Sequence, residues 1–250
     1  MDILTIDATW NENISLGTDL LDYLKKKSVH SVALFASVQF LKLDVTIRQL
    51  SLHNIKVLTT KAKRTHVSIQ VLGCDVYHDS FEQDIINEAD ALLYIGDGLF
   101  HPKAILLSQT SKIKSKPILI WDPIGQSMRI ITLKDVEAQQ KRTVANLKHF
   151  ISARVIGILV TTKFGQSYLP LALKLRSQAE KEGKKAYIFI DDTIKYDQFE
   201  NYPFIQVWVN TACPRIGTDD HVNIRQPLIN IREALDPIKA LESLESFTKN

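Results

Sequence analysis

Short runs of β-branched and aromatic residues alternate along this chain with longer stretches in which apolar residues recur every three or four positions. The first pattern predicts strands and the second predicts amphipathic helices. Residues 1–7, 29–36, 55–59, 67–72, 91–95 and 117–121 read as strands. Between them, residues 17–25 read as a helix with Leu20, Leu21 and Leu24 on one face, followed by helices over 38–52, 80–88 and 101–109. A charged helix over 133–151 bridges to a second cycle. That cycle has a strand at 155–160, a helix entered at Gln166 and ended by Gly183, and strands at 185–190 and 205–209. Ile238, Leu241, Leu244 and Phe247 fall at helical spacing in a closing helix over 236–247.

Alternating strand–helix elements predict an α/β protein of two stacked parallel-sheet domains, residues 1–132 carrying Cys74 and residues 133–250 carrying Cys213. The halves resemble one another, each beginning with a strand, passing through a polar loop and a helix, and later presenting a cysteine at a strand end. They share no exact repeat.

Composition changes this picture little. Apolar residues are 45% of the chain, enough for substantial cores, and charged residues are 24%. A net charge of +3 is too mild to call for nucleic acid. The lysines near positions 25, 61, 112 and 181 fall at helix ends or in loops, where they read as solvated charge. No apolar run reaches the roughly 18 residues of a membrane span. The acidic N-terminus lacks a signal-peptide pattern. The expectation is a cytoplasmic protein that binds neither membrane nor nucleic acid.

The candidate chemistry sits where strands end, because ligands of open α/β sheets bind at the carboxyl edge. The stretch from Ile205 to Asp220 runs as a strand into Asn210-Thr211-Ala212-Cys213-Pro214-Arg215-Ile216, where Pro214 stops the ladder and leaves the sulfur at the rim. Leu72-Gly73-Cys74-Asp75 delivers the other cysteine in the same way. Two distant cysteines without a Cys-x-x-Cys pattern read either as buried apolar fillers or as metal or redox ligands.

Gly96-Asp97-Gly98-Leu99-Phe100-His101-Pro102 has the glycines of a tight turn under a ligand but neither phosphate-loop nor dinucleotide spacing. His101 reads equally as a helix cap or a site residue. Thr161-Thr162-Lys163-Phe164-Gly165-Gln166 enters a helix N-terminus, which is a plain βα turn or a carboxylate site to which Lys163 adds charge and Gln166 an amide. Asp122-Pro123 and Asp191-Asp192 read as helix-capping, solvated strand exits.

Together with Ser37-Val38-Gln39-Phe40, these segments resemble, in order and spacing, the diphthamide synthesis proteins, the 2-(3-amino-3-carboxypropyl)histidine synthases of archaea and eukaryotes. The resemblance runs from about Ser28 to about Glu233. It implies the middle and last of three similar α/β domains, each giving one cysteine to a [4Fe–4S] cluster whose open iron binds S-adenosylmethionine. Reductive cleavage of the cosubstrate's Cγ–S bond then gives a 3-amino-3-carboxypropyl radical, which adds to a histidine of translation elongation factor 2. On this resemblance Cys74 and Cys213 are cluster ligands, and Gln166, Lys163 and Asp219 face the methionine part of the cosubstrate.

The same resemblance expects a further domain, carrying a third cysteine, before the strand at 1–7, and an apolar face that it would cover. Two thiolates hold a cubane poorly. The resemblance therefore implies a partner: a homologous or N-terminal-domain subunit, or a second copy in a homodimer, together with an electron donor. The other readings are an accessory paralogue that binds a catalytic relative, a truncated form of an ordinary enzyme, and an iron-free nucleotide-binding α/β module.

Overall fold

The computed structural model of this chain describes residues 6, 8–109, 115–219 and 224–248. Apart from Ile6, the strand expected at 1–7 lies outside them. The fold comprises two units, Met1–Val136 and Glu137–Asn250.

The first unit contains helix α1 (Thr18–Lys26), strand β1 (Ser31–Ala36), α2 (Asp44–Leu52), β2 (Lys56–Leu58), α3 (Ile85–Glu88), β3 (Ala91–Ile95), α4 (Phe100–Ser108), β4 (Ile118–Asp122) and β5 (Ser127–Ile131). Its sheet has the order β2-β1-β3-β4-β5, parallel except for the antiparallel β4–β5 pair. Strands β1 and β3 are apolar on both faces because helices cover both, as is usual for parallel sheets. Ala33, Phe35, Leu92 and Tyr94 pack with Ile85 of α3 and Ile105 of α4. Val32, Leu34 and Leu93 pack on the other side with Leu20 and Leu24 of α1 and Leu50 of α2.

The second unit contains α5 (Glu137–Ser152), β6 (Val155–Thr161), α6 (Leu169–Lys181), β7 (Lys185–Asp191), β8 (Val207–Asn210), α7 (Arg215–Thr218), β9 (Leu228–Asn230), α8 (Ile231–Leu235) and α9 (Pro237–Thr248). Its sheet, β7-β6-β8-β9, is wholly parallel. The helices gather on one face: Leu147 and Phe150 of α5, Leu175 of α6, Ala234 of α8 and Leu241 of α9 share a core with Ile156, Ile158, Val207 and Val209. The opposite face is covered by a 3-10 helix, Tyr196–Asn201, and its flanking loops, with Phe199 stacked on Trp208 at 4.4 Å.

Several elements differ from the sequence expectation. The strand expected at 67–72 is a single parallel bridge between Gln70 and Ala36, because Ile69 takes φ +82, a left-handed conformation that interrupts extended backbone. The helix expected over 38–52 breaks into the 3-10 turn Val38–Phe40 and α2. That expected over 80–88 shortens to α3, which Asp84 caps by accepting the Asn87 N–H. The helix expected over 133–151 opens as the 3-10 turn Leu133–Val136 before α5. Asp122 does not cap a helix: its Oδ1 accepts the N–H groups of Ile124 and Gly125 at 2.9 and 3.0 Å, closing the β4–β5 turn. Among the described residues, no helix is long and apolar enough to cross a membrane.

Candidate functional site

Both sheets share the order second-first-third-fourth in their parallel part, so each has a switch point beside its first strand, where a crevice opens at the carboxyl edge.

In the first unit, that edge carries Ser37-Val38-Gln39-Phe40 after β1 and Gly96-Asp97-Gly98 after β3. The two glycines serve different needs. A Cβ on Gly96 would lie 2.7 Å from the Tyr94 hydroxyl, whereas Gly98 has open space but φ +69. A cavity of about 250 Å³ lies here, lined by Trp10, Gln39, Phe40, Asp97 and Ile124. Behind it, the Tyr94 hydroxyl and His101 Nδ1 are hydrogen-bonded at 3.1 Å. Burial, with the nearby Asp97 charge adding to it, pushes the Tyr94 phenol up to about 12. His101 is thus tied to Tyr94 and does not cap α4, whose N-cap position is Leu99.

Cys74 stands on the other side of β1. The chain leaves β2, loops out, and returns to bridge β1 at Gln70, with Ala36 N–H donating to Ile69 O and Val71 N–H to Ala36 O. Gly73 follows against the Phe100 ring, which a Cβ there would overlap. The buried Asp75 accepts the Arg64 backbone N–H at 2.8 Å, and Arg64 Nη1 donates to Cys74 Sγ at 3.3 Å. The half-buried thiol therefore rests on a turn fixed from three sides. Asp75 stands in the segment singled out in the sequence, but its contact with Arg64, ten residues and more away, is marked by no pattern there.

In the second unit, β6 and β8 are neighbours, so their exits lie side by side. After β6, Thr161 Oγ1 donates to Asp192 O at 2.9 Å and accepts the Lys163 N–H at 3.1 Å. Gln166 N–H donates to Lys163 O at 3.1 Å, closing a turn in which Gly165 has φ +72. Gln166 is half-buried and Lys163 exposed. Helix α6 starts only at Leu169, so Gln166 belongs to the turn and not to the helix N-terminus expected from sequence.

After β8, the buried Asn210 organises the cysteine turn. Its Nδ2 donates to Cys213 O and to Asn230 Oδ1, each at 2.8 Å, and its Oδ1 accepts the Ala212 N–H at 3.0 Å. Thr211 Oγ1 donates to Leu159 O at 2.7 Å, fixing the turn to β6. Arg215 is buried and pairs with Asp219, whose side chain is 25% exposed. Asn230 lies on the short β9, which the sequence pattern did not reveal. Gly217 allows its approach: a Cβ there would meet Asn230 Oδ1 at 2.5 Å. Gly217→Ala is expected to destabilise the second unit by about 1–3 kcal/mol, since Asn230 cannot yield without breaking its bond to Asn210. Denaturant unfolding followed by circular dichroism checks this.

The two cysteines are not topologically equivalent. Cys74 follows the line of the second strand of its sheet, and Cys213 follows the third strand of its own. Neither cysteine is in a disulfide, and both are half-buried. Among the described residues, no group of three or more His, Cys, Asp or Glu side chains is placed to hold a metal ion. As donors, the two cysteines, one in each unit, are of the type that ligates iron–sulfur clusters as thiolates.

The sequence profile of the diphthamide synthesis proteins matches residues 11–243. The 2-(3-amino-3-carboxypropyl)histidine synthase of Pyrococcus horikoshii is 27% identical over 164 residues, covering 66% of this chain and 44% of its own length. Subunit 1 of the same-named enzyme from Yarrowia lipolytica is 24% identical over 228 residues, covering 89% of this chain and 49% of its own. The chain thus spans under half the length of these curated relatives. The crystal structure of Dph2 from Pyrococcus horikoshii with a 4Fe-4S cluster superposes with a TM-score of 0.71 at 21% identity, covering 89% of this chain and 61% of that one. At that identity, the likeness is one of fold.

Proposed function

Because the chain belongs to the diphthamide synthesis protein family, we propose that it acts in the first step of diphthamide biosynthesis. In that step the 3-amino-3-carboxypropyl group passes from S-adenosylmethionine to a histidine of translation elongation factor 2. The observation that supports this reading is the pair of cysteine turns, each built by a family segment and each placing a cysteine outside any disulfide at the carboxyl edge of a sheet.

On this reading, Cys74 and Cys213 hold a [4Fe–4S] cluster as thiolates, and a further thiolate comes from a partner subunit or a second copy. When bound, such a cluster supplies an electron and an open iron position for cleavage of the cosubstrate's Cγ–S bond, with an external electron donor recharging it. The chain's own part is position and charge. Lys163, exposed on its turn, offers its ammonium to the cosubstrate carboxylate, and the half-buried Gln166 offers its amide to the polar end of the methionine moiety. Asp219 has one oxygen on Arg215 and keeps enough exposed surface for the amino group. The Arg64 guanidinium, donating to Cys74 Sγ, fixes that sulfur's direction. Asn210 does the same for the Cys213 turn through the backbone.

The test is anoxic reconstitution with iron and sulfide, measuring bound iron per chain with and without homologous partner subunits. A [4Fe–4S] spectrum that appears with a partner, and shifts on adding S-adenosylmethionine, supports the reading. Absence of iron under every condition sinks it and leaves an accessory protein that binds a catalytic relative. Tight nucleoside binding by an iron-free chain would point to the nucleotide-binding module.

A further inference from the structure

The turn that carries Cys74 is held by a second loop, residues 62–65, which follows β2. The backbone of that loop is pinned residue by residue. Fully buried Ala62 forms an antiparallel bridge with Phe81, and Lys63 N–H donates to Ser80 O at 2.9 Å. Arg64 N–H donates to the buried Asp75 carboxyl at 2.8 Å. Thr65 reaches Ala62 O with both its N–H, at 3.1 Å, and its Oγ1, at 2.9 Å. On the cysteine side, Asp75 N–H donates to Leu72 O at 2.9 Å. Arg64 is exposed, yet its backbone and that of the cysteine turn are fixed to each other through Asp75. Its Nη1 meets Cys74 Sγ at 3.3 Å, so a cationic donor approaches the sulfur from a set direction.

A donor at a coordinating sulfur does more than orient it. Reduction of an iron–sulfur cluster adds one negative charge, and hydrogen bonds to the sulfurs are among the features that set its potential. The Arg64 N–H dipole and the guanidinium charge both favour the reduced form. The Asp75 carboxyl beside them opposes this, but it stays in place when only the guanidinium is changed, so it cancels in such a comparison. The contact with the sulfur is solvent-exposed, and screening keeps the effect modest.

We propose that Arg64 is a positioning residue that sets the reduction potential of the cluster Cys74 ligates, and with it the strength of the external donor the protein needs. The proposal rests on the cluster reading. One electron passes from the external donor into the cluster and on into the Cγ–S bond, which breaks to the 3-amino-3-carboxypropyl radical and methylthioadenosine. Arg64 itself gains and loses nothing. Arg64→Met tests this, because methionine keeps the aliphatic bulk and the backbone N–H to Asp75 and removes only the guanidinium. Circular dichroism verifies that the variant folds. The chain is reconstituted anoxically with iron and sulfide beside its homologous partner subunit, and a dithionite titration followed by electron paramagnetic resonance gives the midpoint potential. Iron per chain is expected to stay at the native level. The reduced fraction at a fixed potential is expected to fall about tenfold, a drop of about 59 mV for one electron. Arg64→Lys keeps the charge and is expected to fall by less. A merely structural Arg64 would leave the potential where it is. An unchanged or raised potential in Arg64→Met overturns the proposal, and so does a loss of iron by that variant alone. Iron absent from the native chain as well is the separate failure of the cluster reading, and removes this proposal with it.

Discussion

Cys213→Ala is expected to reduce aminocarboxypropyl transfer, in a reaction reconstituted with partner, elongation factor 2 and reductant, by more than about a hundredfold. Outer-shell partners of metal sites already cost about 10- to 100-fold, and a direct ligand should cost more. The substitution separates chemistry from folding unusually well. The Asn210 bonds that build this turn reach the Cys213 carbonyl, the Ala212 N–H and Asn230, and these three do not use the sulfur. Alanine keeps these three, and the residue is only half-buried, so the loss in stability should stay below about 1 kcal/mol. Bound iron per chain should fall together with transfer. Full modification by the variant would remove Cys213 from the site and favour the accessory reading.

The second large effect concerns Glu233. The residue is half-buried, and its Oε2 is buried without a hydrogen-bond partner. Burial pushes the carboxyl from 4.5 up to about 7, against the opposing influence of its own backbone N–H and the Arg232 charge. The native state therefore holds this proton more tightly than the unfolded chain. The associated stability is fully present below about pH 4.5 and is lost as the pH rises through about 7. The shift corresponds to about 2–3 kcal/mol once the partial exposure is allowed for. Glu233→Gln keeps the shape without the charge. It should raise the stability of the second unit at pH 8 by about that amount and leave it nearly unchanged near pH 4. Paired urea titrations at the two pH values measure the difference. Equal effects at both would show that the carboxyl is not held protonated.

The elements legible in the sequence were those whose pattern comes from burial on both faces. The apolar runs of β3 and β6 require helices above and below or a covering loop, so no other reading fits them. The misread segments are governed by local backbone geometry. Val67 to Leu72 has strand-forming side chains, yet Ile69 turns left-handed and leaves a single bridge. Strand β5 follows a turn closed by Asp122, with Gln126 at φ +45, and its half-exposed antiparallel pattern is weaker than that of a buried strand. Strand β9 has three residues, too few for any period to register.

The candidate site divides in the same way. The cysteines, the glycine loop and the Gln166 turn stand out because their segments resemble those of a family, whereas their residue types alone leave a plain turn or a buried filler open. Arg64, Asp75 and Asn230 act through contacts between residues far apart in the chain, which no local pattern encodes.

The three tryptophans are distributed so that light can follow this molecule without a label. Trp121, in the first unit, is 3% exposed, and Trp208, in the second, is 1% exposed, whereas Trp10 is 39% exposed. Trp10 lines the small cavity at the carboxyl edge of the first sheet. The red-emitting fraction of the native fluorescence thus comes from that edge, and anything that settles in the cavity should shift it toward the blue. The blue-emitting fraction comes from one buried indole in each unit. During unfolding, Trp121→Phe and Trp208→Phe would each leave the other unit as the remaining buried reporter, so the order in which the two units come apart can be read from emission alone.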